Sequence, residues 1–88
     1  MANRGVFRHP NFDRHVQTLS DQVPRIEEGI AGALWSLARN PDGEGVYLQE
    51  YGVWQARLVI LHSPADVLIF YTFNPRYLYA LCAKLAED

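Results

Sequence analysis

Three features of the chain predict an α+β fold with a helical front half and a β-rich back half. Apolar residues repeat at helical spacing as far as about Arg39. A break rich in turn formers follows, Asn40-Pro41-Asp42-Gly43-Glu44-Gly45. Beyond it the apolar residues alternate, or run without interruption. Eighty-eight residues can bury one modest core, so residues 1–88 are expected to form one domain. The expected architecture is a pair of N-terminal antiparallel helices on one face of a small, mostly antiparallel sheet of four or so strands.

Gly5-Val6-Phe7-Arg8 reads as a short first strand. Pro10 then stands where helices accept proline, and Phe12, Val16 and Leu19 give the following helix one apolar face. Ser20, Asp21 and Pro24 break it. A second helix is expected from about Pro24 to Arg39, with Ile26, Ile30, Ala33, Leu34 and Leu37 as its stripe. Glu27 and Glu28 in its first turn and Arg39 in its last suit the helix dipole. Gly29 and Gly32 weaken it and suggest that another helix approaches closely.

Val46 to Tyr51 is the next expected strand, ended by Gly52. Val53 to Leu61 is the clearest. Trp54, Ala56, Leu58 and Ile60 fall on its core face, and Gln55 and Arg57 on the other. Val67 to Phe73 is apolar on both faces, as in a central strand. After Asn74-Pro75-Arg76, the residues themselves allow either a last strand, Tyr77 to Ala83, or a helix carrying Leu78, Leu81, Cys82 and Leu85.

The formal net charge of −2 provides no general attraction for nucleic acid, so any such contact needs a local patch. Cys82 is the single cysteine, which rules out an intrachain disulfide and a cysteine zinc motif. His9, His15 and His62 match no ligand spacing, and no cofactor is expected. Met1 to Pro10 lacks the apolar stretch of a signal peptide, and Val67–Phe73 is too short to cross a membrane. A cytoplasmic location is the expectation.

Several residues carry chemistry by type. Arg57, mid-strand on the face away from Trp54, can grip a phosphate through its planar fork, or can pair with Glu50 or Asp66. Tyr71 can serve as an acid, a base or a stacking platform, or as a core aromatic with its hydroxyl at the rim. Tyr77 and Tyr79 carry the same two readings. His62, Ser63 and Asp66 have the residue types of a relay, but one tight turn is a poor frame for it; Ser63 or Asp66 shaping that turn is the simpler reading. Arg76 and Lys84 are the other cations of the β half.

The order of elements resembles the RelE/ParE-like toxin superfamily over nearly the whole chain. "VFRHPNFDRHVQTL" is similar to its first strand and first helix, and "ALWSLARNPDGEGVYLQEYGVWQARL" to the stretch that ends on its arginine strand. "DVLIFYTF" and "RYLYALCAK" resemble its last two strands, which favours a strand over a helix from Tyr77. The resemblance implies the toxin of a bacterial toxin–antitoxin system, with a cognate antitoxin as partner. Nuclease members are mRNA endoribonucleases acting with the ribosome on translation. In them the ribose 2′-hydroxyl attacks the adjacent phosphate while cations stabilise the transition state. Arg57, Tyr71 and Lys84 match the catalytic positions, with Arg76, Tyr77 and His62 as binding candidates. The chain departs from the nuclease pattern where Asp66-Val67-Leu68 replaces an arginine-led motif. It departs again where Val46-Tyr47-Leu48-Gln49-Glu50 carries no lysine. Gyrase-directed members need no RNA-cleaving set, and a protein-interaction or dimerisation module built on the exposed sheet is the third alternative.

Overall fold

A computed structural model describes residues 4–86. The chain runs β1 (Gly5–Arg8), α1 (Pro10–Leu19), α2 (Ile26–Arg39), β2 (Val46–Leu48), β3 (Val53–Leu58), β4 (Val67–Phe73) and β5 (Tyr77–Leu85). The strands form one sheet in the order β1-β5-β4-β3-β2. β1 lies parallel to β5, and every other pair is antiparallel. The α+β class and a final strand after Pro75 therefore hold, and the sheet is mixed and five-stranded.

Both helices bury their apolar stripes against one face of this sheet. Phe12, Val16 and Leu19 of α1 and Ile26, Ile30, Leu34 and Leu37 of α2 meet Ala56, Val67, Ile69, Tyr71, Leu78 and Ala80 in one core. Trp54, Leu58 and Ile60 pack against its margin, which confirms the phase read from β3. Among the described residues no helix is long and apolar enough to cross a membrane.

Local chemistry explains where the elements stop. His9 caps α1 by accepting the Asn11 N–H on Nδ1 at 3.0 Å, with Pro10 next in the first turn. α2 begins at Ile26 rather than Pro24, because Arg25 is left-handed with φ 58°. Arg25 pairs with Glu28 one turn on. β2 is shorter than Val46–Tyr51, since the N–H groups of Tyr51 and Gly52 turn back onto the Leu48 carbonyl and Gly52 takes φ +66°. β3 ends at Leu58 because its partner β4 starts opposite it, at Val67. Gly29 accommodates the end of β3 and the residues just past it rather than another helix: a Cβ there would lie 3.1 Å from Ile60 Cδ1 and 3.5 Å from Leu58 Cδ2, whereas one at Gly32 would meet nothing within 4 Å.

The central pair β4–β5 carries a register shift. Phe70 pairs with Cys82 but Tyr71 with Ala80, so Leu81 is an extra residue in β5. Leu78 and Ala80 face the helices before the shift, and Ala83 does so after it. One inserted residue thus reverses the phase of the last third of the strand.

Candidate functional site

The sheet face opposite the helices is uncovered among the described residues. Across its middle runs one row, Arg57 on β3, Leu68 on β4 and Lys84 on β5, in direct register. Strands stand about 4.8 Å apart, so the two cationic residues flank Leu68 with backbones roughly 10 Å apart. Lys84 reaches this face only because of the extra residue at Leu81; unbroken alternation would have sent it to the helices with Leu78 and Ala80. Its ammonium lies 5.9 Å from the centre of the Phe70 ring. Arg57 Nε donates to Asp66 Oδ2 at 2.5 Å, with 55% of the arginine side chain still exposed. The arginine is therefore both paired and presented.

Aromatic rings continue the face towards β1. Phe7 pairs across the sheet with Tyr79, and Tyr79 with Thr72. The Phe7 and Tyr79 rings stack, with centroids 5.7 Å apart and an interplanar angle of 12°. Tyr77 joins them at 5.1 Å from Phe7. Phe7 remains 53% exposed although it lies in a sheet. Towards β2, at the opposite edge of the sheet, the face is aliphatic, with Val46 beside Gln55 and Leu48 beside Val53. Cys82 lies in the row next to the cationic one, opposite Phe70; burial pushes its thiol pKa up, and Lys84 partly offsets this.

The expected site residues do not form one cluster. Arg57 and Lys84 share a row. His62 is exposed and left-handed, φ 68°, in the loop that also carries Asp66; its turn is closed by the Ser63 N–H on the Ile60 carbonyl at 3.2 Å. Ser63 shapes the same loop, its Oγ donating to the Ala65 carbonyl at 2.5 Å. Arg76 and Tyr77 sit at the far end, where both their N–H groups donate to Asn74 Oδ1 at 2.8 Å. Tyr77 and Lys84 are seven positions apart along β5, roughly 20 Å at strand rise.

Tyr71 falls on the opposite face from Arg57 and is wholly buried. Its hydroxyl donates to the Pro41 carbonyl at 2.5 Å and so fastens the α2–β2 loop to the sheet. A Cβ at Gly45 would collide with that hydroxyl, which is why glycine stands there. Burial, with Glu44 and then Asp42 nearby, pushes the Tyr71 pKa up to about 12. A phenol held neutral behind the sheet has no access to a substrate on the open face, so the placement removes Tyr71 from the candidate set.

Phe7 and Phe70 do not stand out in the sequence. Both stand in short strand-like runs, "GVFR" and "VLIFYTF", but neither run fixes its own phase. Among the described residues no three His, Cys, Asp or Glu side chains converge as a metal site. No protein-family model, curated protein or solved structure matches the chain.

Proposed function

We propose that this chain is a RelE/ParE-like toxin-type domain whose open sheet face engages single-stranded RNA. One observation carries the reading: Arg57 and Lys84 share that face with the stacked Phe7 and Tyr79, Tyr77 and Phe70. Cations that hold phosphates beside rings that stack on bases are the working parts of single-strand binding. Asp66 is the carboxylate that meets this row, and it is already committed to Arg57. The order of helices and strands is the order the resemblance implies, which supports a translation-directed toxin with a cognate antitoxin.

Binding is better supported than cleavage. Proton transfer needs a positioned acid or base within hydrogen-bond reach of the reacting group. Tyr71, the expected provider, lies behind the sheet.

The test is fluorescence anisotropy with a labelled single-stranded RNA across a salt series, together with growth after induced expression with and without the neighbouring gene. Arg57→Ala and Lys84→Ala should each weaken binding about tenfold and flatten the salt dependence by about 0.7 per lost phosphate contact. Phe7→Ala and Tyr79→Ala should weaken it by about 1–3 kcal/mol while leaving the salt slope intact. RNA affinity equal in all four variants would sink the reading. Growth arrest without RNA binding would favour the second one, a protein-blocking domain with a target such as gyrase. That alternative draws on the aliphatic side of the face, where Val46 is 65% exposed.

A further inference from the structure

β5 outlasts its neighbour. β1 pairs with it only as far as Ala80, where the His9 N–H reaches the Ala80 carbonyl at 2.9 Å. Pro10 then turns the chain into α1, and β5 runs on for five more residues, to Leu85. On its other side β4 keeps pace, pairing Ile69 with Ala83 and Val67 with Leu85. The Ala86 N–H donates to the Asp66 carbonyl at 2.8 Å, which fixes the alternation: the backbone groups of Lys84 and Cys82 point at β4, and those of Ala83 and Leu85 point away from it.

These outward groups face a lane that β1 has left. The Ala83 N–H is met by a side chain, donating to His15 Nδ1 of α1 at 3.3 Å. The Ala83 carbonyl and the Leu85 N–H and carbonyl have no hydrogen-bond partner among the described residues. A groove of about 520 Å³ runs beside them, between the Thr18–Leu19 end of α1 and Ala83–Ala86. Its walls are mostly apolar, and small side chains at Ala65, Ala83 and Ala86 keep it open.

We propose that this groove takes an extended segment of a partner polypeptide, which adds as a strand beside the second half of β5. The vacant donor and acceptors are main-chain groups at strand spacing, and the main chain of another strand complements them. The segment alternates apolar and acidic side chains. Positions opposite Ala83 and Leu85 face Leu19 of α1 and are apolar. The position opposite Lys84 projects on the open face, beside an ammonium with no carboxylate in ion-pair distance among the described residues. A carboxylate there extends the row Arg57–Leu68–Lys84 by one partner of opposite charge. This site is separate from the aromatic half of the open face and stands whether or not RNA binds there.

The probe is a capped eight-residue peptide alternating valine and glutamate, added to the full chain, with residue-resolved amide hydrogen exchange as the readout. Exchange at Leu85 should slow at least tenfold at saturation. A peptide with proline at alternate positions keeps its carboxylates but lacks the N–H groups, and should not bind. Lys84→Glu should reject the glutamate peptide and accept a valine–lysine one, an exchange of preference that misfolding cannot produce. Thr18→Trp, at an exposed position of α1, should fill the groove and abolish binding while RNA affinity stays at the wild-type value. Unchanged exchange at Leu85 with either peptide on its matching protein would overturn the proposal. So would equal binding of the proline peptide, indifference to the charge exchange, or protection of Leu85 that appears with protein concentration alone.

Discussion

Replacing Tyr71 with phenylalanine separates a structural tyrosine from a chemical one. The ring is fully buried and its hydroxyl donates to the Pro41 carbonyl at 2.5 Å. Phenylalanine keeps the packing and strands that carbonyl, which costs about 1–3 kcal/mol. For a domain of this size each kcal/mol moves the melting midpoint by about 4–8 °C, so a fall of at least 4 °C is expected at neutral pH. The wild type also carries an alkaline signature. The folded pKa of Tyr71 is raised from 10.0 to about 12, by burial first and then by the charges of Glu44 and Asp42. The unfolded chain therefore releases this proton first as pH rises. The stabilisation is fully present below about pH 10 and is lost as pH climbs towards 12. Its size is at most about 3 kcal/mol, from two pKa units at 1.36 kcal/mol each. Urea unfolding of both proteins at neutral pH and between pH 9 and 12 tests this. The wild type should lose stability over that window more steeply than Tyr71→Phe, and the two curves should converge. Parallel curves would refute the burial argument. A variant of unchanged stability that no longer binds RNA would return Tyr71 to the functional site.

Gly32→Ala should raise the melting midpoint, by about 0.5–1 kcal/mol of helix propensity, because the added methyl meets nothing within 4 Å. Gly29→Ala should gain less or lose stability in the same melts, since its methyl would press on Ile60 at 3.1 Å. Asp66→Asn should change stability by less than about 1 kcal/mol, as the pair it breaks lies at the surface and its arginine is more than half exposed. The same change should tighten RNA binding in anisotropy, because it frees the Arg57 guanidinium. Weaker binding by Asp66→Asn would mean that the carboxylate orients Arg57 for its ligand.

Elements whose two faces differ were legible in the chain. The helices showed themselves through stripes such as Phe12, Val16 and Leu19, and β3 through Trp54, Ala56 and Leu58 against Gln55 and Arg57. That contrast is a local property, because burial of one face selects one set of alternate residues. That contrast alone places Arg57 on the face away from the core. β4 offered no such contrast. Val67 to Phe73 is apolar throughout, so nothing in that run tells which alternate set faces the helices, and the side taken by Tyr71 was left to packing. The end of β5 was less legible still. An extra residue at Leu81 reverses the phase, brings Lys84 round to Arg57, and turns the Ala83 and Leu85 backbone towards the empty lane. A bulge of this kind is fixed by the register of the neighbouring strand, and the lane by where β1 must leave the sheet at Pro10. Alternation within one strand is written in that strand's residues; pairing between strands is a relation among distant segments, and only the assembled sheet settles it.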